Sequence, residues 1–232
     1  MSSQKALAFV LRSYPFGEAD RVVVFFTEEF GLVRGVAKGS RKLKSRISGA
    51  LEPMTLVRLM FVDKPGRELA VVSGCEAVRS LYGALEASLP AGGPRPSMLD
   101  TLAVIGVLSE LTAALHGDRD PNPPHFRLLD LAQRALIAGL EPRLVMLYFE
   151  LFSLKLAGIL RPADSLPSPP ARELMCSLLR ANLLNDQLPQ YGDDALEELG
   201  RSLRSQIGDA VGRKLKAYSF IDEINHNDLL KR

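Results

Sequence analysis

The period of the hydrophobic pattern changes once along this 232-residue chain, from two to about 3.6 near Val78, and that change limits what it can fold into. Ahead of it, runs of β-branched and aromatic residues at 6–13, 20–27, 31–38, 55–61 and 68–75 are punctuated by Pro15, Gly17, Gly31, Gly39, Ser40 and Pro65-Gly66. Such runs read as strands separated by turns, and five in so short a stretch suit a small closed barrel. Side chains alternate along a strand, so in the third run Arg34, Val36 and Lys38 share one face, with Val33, Gly35 and Ala37 on the other.

Beyond Val78 the pattern is helical. A first turn of helix over 78–88 gives way to the Pro- and Gly-rich linker 90–96. Ser97 is placed to cap an amphipathic helix bearing Leu99, Leu102, Ile105, Leu108 and Leu111, and a loop over 117–124 leads to a second helix over 126–139. The stretch 144–159 is apolar on nearly every side, which places it in the middle of a bundle. The proline-rich segment 162–170 is expected to stop it, since proline lacks an amide hydrogen and clashes with the preceding turn. More helix is expected over 171–184. Asp193 or Asp194 then caps a long last helix striped with Leu196, Leu199, Leu203, Ile207, Val211 and Leu215. The fold class read from these patterns is α+β, with a barrel domain over 1–80 and an all-α bundle over 81–232.

With 47% hydrophobic residues the chain is globular and long enough for one large domain or two small ones. No uninterrupted apolar run reaches the roughly eighteen residues that cross a bilayer, so neither a membrane partner nor a signal peptide is expected, and a cytoplasmic location follows. Cys75 and Cys176 stand far apart with no CxxC, which implies two ordinary thiols rather than a disulfide framework or a cysteine zinc site.

Charge is distributed unevenly. Residues 1–80 carry 13 Lys+Arg against 8 Asp+Glu, net +5, and the remainder carries 16 against 19, net −3. Within the basic part, Arg34, Lys38, Arg41, Lys42, Lys44 and Arg46 fall inside thirteen residues with no acid among them. Gathered cations neutralise neighbouring phosphates and release condensed counterions, a gain that depends on salt and not on base sequence. A basic run alone also suits a solvated loop or another polyanion; the charge asymmetry favours nucleic acid.

The segments LRSYPFGEADRVVVFFTEEFGLV and GVAKGSRKLKSRISGALEPMTLVRLMF resemble the amino-terminal domain of the bacterial RecO family of DNA-repair proteins. The shared features are Leu11-Arg12, the Gly17-Glu18-Ala19-Asp20-Arg21 turn, the Thr27-to-Gly31 turn and the basic stretch from Ala37 to Arg46, in order over about 60 residues. The segment from Gly212, GRKLKAYSFIDEI, resembles the family's closing part more weakly. The resemblance implies an oligonucleotide-binding (OB-type) barrel followed by a helical domain. It further implies a non-enzymatic recombination mediator that binds single- and double-stranded DNA and anneals complementary strands. With RecR, such a protein helps load RecA onto DNA coated by single-strand-binding protein, docks that protein's carboxy-terminal tail, and is associated with the nucleoid. The four-cysteine zinc module of some members has no counterpart here, where a single Cys176 stands in RPADSLPSPPARELMC, so no metal or cofactor is expected.

The DNA-binding residues expected are Arg34, Lys38, Arg41, Lys42, Lys44 and Arg46, supported by Arg12 and Arg21. They hold phosphates without reading bases. Among the aromatics, Phe9 and Phe26 are expected inside the barrel, while Tyr14 and Phe16 lie in a turn near Arg12 and suit base stacking. His116, Asp118, Asp120 and His125 offer nitrogen and oxygen ligands for a metal, but sit in a proline-rich loop that reads as a solvated connection. No convergent nucleophile, base and orienter is apparent, and the GxxxxGK[ST] phosphate loop is missing. Two other readings stay open: a general single-stranded nucleic-acid-binding barrel without mediator partners, and a small hydrolase or metalloenzyme.

Overall fold

A computed structural model describes residues 3–42, 45, 47–63, 66–87, 98–186 and 191–229. The chain divides into two compact units, Met1–Ala91 with Ser109–Phe126, and Gly92–Leu108 with Arg127–Arg232.

In the first unit, β1 (Gln4–Phe16), β2 (Asp20–Thr27), β3 (Gly31–Ala37), β4 (Leu56–Val62) and β5 (Ala70–Arg79) close into a barrel in the order β1-β2-β3-β5-β4. All pairings are antiparallel except β3 with β5. This is the five-stranded Greek-key barrel of the OB fold, as expected. Closure depends on β1, whose residues 4–9 pair with β4 and 8–16 with β2. A register shift between Val10 and Arg12 lets one strand serve both neighbours. Ala8, Val10, Val23, Phe25, Val57 and Phe61 fill the interior. Cys75 lies among them, and burial pushes its thiol up to about 12, so it behaves as a small apolar side chain. A short helix, α1 (Leu81–Ala87), follows β5.

Phe9 and Phe26 are fully buried but not inside the barrel. Alternation puts Phe25, not Phe26, inward, and sends Phe9 and Phe26 to the outer face. There they pack on the segment Ser109–Phe126, with Phe26 stacked on His116 at 5.0 Å between centroids and Phe9 5.2 Å from Phe126.

The loop 117–124 within that segment is solvent-exposed, as expected, but its backbone is tied to the barrel. Asp118 forms an isolated parallel bridge with Leu32, and the Arg119 amide donates to the Leu32 carbonyl at 3.0 Å. Gly31, at φ +62°, approaches so closely that a Cβ there would lie 2.1 Å from the Asp120 carbonyl oxygen. His125 is buried 3.1 Å from the Thr112 hydroxyl, and burial together with His116 lowers its pKa to about 3. Burial lowers His116 as well, with Asp120 opposing. The two histidines are packing groups, and among the described residues no three His, Cys, Asp or Glu side chains converge on a metal-sized site.

The later helices are α2 (Met98–Leu115), α3 (Pro123–Ile137), α4 (Pro142–Leu156), α5 (Pro169–Arg180), α6 (Asp193–Val211) and α7 (Lys216–Leu229). α2 is long and apolar enough to cross a membrane by length and composition, contrary to the sequence expectation. It carries Asp100 and Glu110, and 56% of it is buried, as in a core helix. α4 is buried from Val145 to Leu151 on every side, as its composition predicts, and the Glu141 side chain caps it by accepting from the Arg143 and Leu144 amides. Two expectations are corrected. α4 ends before the prolines, with Gly158 left-handed at φ +72°, and Pro169 and Pro170 open α5 instead, where their missing amides cost nothing. The expected single last helix breaks at left-handed Gly212, so Leu215 precedes a separate α7.

α4 also buries a carboxyl. Glu150 is wholly enclosed, with the Tyr218 hydroxyl donating to it at 2.8 Å and the Arg204 guanidinium 5.1 Å over the Tyr218 ring. Burial raises its pKa to about 7, against the opposing hydrogen bond and Arg204. Because the folded pKa exceeds the unfolded value of 4.5, its contribution to stability is whole below that value and is lost as pH rises through about 7. Glu150→Gln keeps an acceptor for Tyr218 and carries no proton to lose. The variant is expected to melt above the unsubstituted chain at about pH 8 and to lack this decline, as thermal unfolding across pH would show. A lower melting point at alkaline pH would contradict a neutral buried carboxyl.

Candidate nucleic-acid interface

The barrel registers assemble an outer platform on β1, β2 and β3. Arg12, Val24 and Arg34 form one row across the three strands; Tyr14, Val22 and Val36 form the next; Phe16 opposite Asp20, with Lys38 just beyond β3, completes the third. At ordinary strand and residue spacings the platform measures about 10 Å by 14 Å. The row beyond Arg12, containing Phe26 and Leu32, is closed off by the packing of Ser109–Phe126. What is exposed is therefore the hairpin end, where Tyr14 retains 43% and Phe16 51% of its accessible surface.

The loop after β3 joins this end. The Asp20 carboxylate accepts from the Gly39 amide at 2.7 Å, the Arg41 amide donates to the Ala19 carbonyl, and the Arg41 guanidinium donates to the Gly17 carbonyl at 2.9 Å. Asp20 thus spends its charge on the loop backbone, and the loop sets Arg41 beside the β1–β2 turn, with exposed Lys42 following. Phe16, Val36, Lys38, Arg67 and Leu69 line a shallow cavity of about 420 Å³ here.

The cations expected from the sequence differ in electrostatic state. Arg12 lies 3.8 Å from the buried carboxylate of Glu110, and Arg34 donates through Nε to Asp118 at 3.1 Å. Lys38, Arg41 and Lys42 are exposed with no acidic side chain in ion-pair range among the described residues. Arg21 lies on the opposite face of β2, in phase with Val23 and Phe25, half-buried and donating to the Ser13 hydroxyl at 3.1 Å. Lys44 and Arg46 fall outside the described residues. The structure therefore gathers Arg12, Arg34, Lys38, Arg41 and Lys42 on one side and sets Arg21 apart. Arg67, on the β4–β5 loop, is an addition that sequence reasoning missed, because it stands outside the basic run.

An OB-type barrel with cations and exposed rings on its strand 2–3 face, flanked by the β1–β2 and β4–β5 loops, belongs to the class of oligonucleotide- and oligosaccharide-binding modules. Residues 1–81 match the family described as Recombination protein O N terminal, and residues 96–163 match Recombination protein O C terminal. The chain is 36% identical over 156 residues to the DNA repair protein RecO of Koribacter versatilis, covering 66% of this chain and 58% of that one. It is 30% identical over 237 residues to that of Salinibacter ruber, covering 90% and 83%, and 31% identical over 215 residues to that of Thermobifida fusca, covering 78% and 84%. The chain belongs to the RecO family. It spans about three fifths of the Koribacter relative and of several others, 58% to 61% of their length.

The exposed rings give a direct test. Base–aromatic stacking is worth about 1–3 kcal/mol per base, so Tyr14→Ala with Phe16→Ala is expected to weaken binding of a single-stranded oligonucleotide at least fivefold. Binding to blunt duplex, whose bases are already stacked, is expected to change less than twofold in the same fluorescence-anisotropy titration. Equal losses on both forms would assign the rings to the fold and not to the ligand.

Proposed function

We propose that this protein is a non-enzymatic recombination mediator in DNA repair, binding single- and double-stranded DNA through the β1–β2–β3 platform and annealing complementary strands. The observation that carries the reading is the hairpin end of the platform. Lys38, Arg41 and Lys42 stand there beside exposed Phe16, without an acidic partner among the described residues. Cations of this kind hold phosphates without reading bases. A surface that neutralises two strands at once lowers their mutual repulsion, so annealing needs no nucleotide hydrolysis. Lys44 and Arg46 extend the same basic run in sequence, whereas Arg21, on the opposite face of β2, is not part of the platform.

Within this reading the protein acts with RecR to help load RecA onto DNA coated by single-strand-binding protein, in the cytoplasm at the nucleoid. The helical unit offers a place for the acidic, apolar tail of single-strand-binding protein. A cavity of about 410 Å³ between α2, α4 and α6 has Ala103, Val104, Met146 and Leu147 on its apolar side, and its polar side sets Arg143, Arg201 and Arg204 among the carboxylates of Asp100, Glu141 and Glu197. An apolar recess with a cation for the terminal carboxylate is what such a peptide requires. The exposed rings also suit a second reading, a general single-strand binder without mediator partners.

Two measurements test these statements. Charge reversal of Lys38, Arg41 and Lys42 together is expected to weaken DNA binding at least tenfold, equally for unrelated sequences, and to slow annealing of complementary oligonucleotides. The slope of log affinity against log salt should become shallower by about 0.9 for each duplex phosphate that the variant no longer neutralises. An affinity within twofold of the unsubstituted chain would remove the platform as the site. In the second, a tail peptide ending in a free carboxylate is expected to bind, and to lose at least fivefold in affinity on Arg201→Glu or on amidation of its terminus. No binding of the peptide favours the general binder.

A further inference from the structure

The row Arg12–Val24–Arg34 is the most cationic row of the platform by composition, yet both its arginines meet carboxylates from one segment, Ser109–Phe126. The two pairs differ in kind. Glu110 leaves only 5% of its side chain accessible, whereas Arg34 and Asp118 leave 52% and 57%. Arg12 therefore faces a carboxylate that the packing encloses, 3.8 Å away. An exposed ion pair is worth no more than a factor of about five, so a phosphate can displace Asp118 from Arg34.

Asp118 is nevertheless held in place by its neighbours and not by Arg34. Its backbone pairs with Leu32, and Gly31 packs against the Asp120 backbone. Arg119, in the left-handed region at φ 61°, is anchored by an ion pair to Asp63 and lies 5.1 Å over the Phe61 ring. The carboxylate is therefore presented to Arg34 by a fixed loop. We infer that Asp118 is an internal phosphate mimic, occupying the anion position on Arg34 and competing with the DNA backbone for it. This rests on the nucleic-acid reading of the platform. The consequence is a graded footprint: phosphates bind first at Lys38, Arg41 and Lys42, and Arg34 is recruited only by a strand already held there, so Asp118 discriminates against short or sparsely charged ligands.

The test is a double-mutant cycle on the full chain, with single-stranded oligonucleotides of about 10 and 30 nucleotides as probes. Asp118→Asn, nearly isosteric, is expected to tighten binding about two- to fivefold, more for the short probe, and to steepen the salt slope by about 0.7, the value of one further single-strand phosphate. Arg34→Ala is expected to cost less than twofold in the native background and the full two- to fivefold in Asp118→Asn. Equal cost in both backgrounds, or unchanged affinity and slope in Asp118→Asn, overturns the inference while leaving the platform intact. Failure of every variant and of the native chain to bind either probe overturns the platform reading as well. Unchanged melting temperatures exclude a folding effect, and Asp118→Glu, which restores the carboxylate, is expected to restore the native slope.

Discussion

Alternation in a closed barrel is the constraint from which the interface follows. Once β1 closes the barrel by pairing on both sides, every residue of β1, β2 and β3 is committed either to the interior or to the outer face. Val10, Val23, Phe25 and Val33 take the interior. Their neighbours Phe9, Phe26 and Leu32 then stand outside and must be covered, and Ser109–Phe126 covers them with His116, His125 and Phe126. Burying a ring the size of Phe26 contributes about 1.5–3 kcal/mol, which is enough to fix where that cover lies. The platform is what remains outside it.

The same cover fixes the electrostatics. Burial works against the charged form of titratable groups taken into the interior: it lowers His125, and raises Cys75 and Glu150. Glu110 is also buried, 3.8 Å from the guanidinium of Arg12. On the platform, then, the cations nearest the cover are answered by its carboxylates, and those farthest from it have no acidic side chain in ion-pair range among the described residues. A gradient of available positive charge runs from Arg12 and Arg34 towards Lys38, Arg41 and Lys42, and its direction is set by packing.

Much of this is legible in the sequence. The run 20–27 is a strand with the same bounds as β2, and the alternation of Arg34 and Val36 against Val33, Gly35 and Ala37 holds in β3, which ends one residue before Lys38. The family is legible too, from turns whose spacing a small barrel enforces. Phase is harder. Phe25 and Phe26 are adjacent and equally apolar, and only the cover, more than eighty residues away, decides that both are buried on opposite sides of one strand. Breaks inside helical patterns are also hidden: the apolar stripe runs on in sequence from Val211 past Gly212 to Leu215, while Gly212 ends α6 through a left-handed backbone. Asp118 looks like plain loop because nothing local to it announces Arg34, a partner 84 residues away. Arg67 does not stand out because adjacency in the barrel brings it to Lys38 and adjacency in sequence does not.

A mediator of the kind proposed, one that anneals strands, has to let go of the duplex it makes, and tight binding through every cation would oppose release. Counterion release gives each phosphate contact a roughly equal share of affinity, so the number of cations available, not their individual strength, governs how firmly a strand is held. Arg12 lies beside a buried carboxylate, which offsets part of its charge. Pairing Arg34 with an exposed one makes a second conditional. The hairpin end, with its available cations and open rings, suits capture of single strands, whose bases stack on aromatic faces that a closed duplex does not use. Duplex formation withdraws those bases and leaves only phosphates to be held, by fewer cations than the basic composition of the barrel suggests. On the proposed mediator reading, the acids of the covering segment limit how firmly a strand is held and favour release of the product.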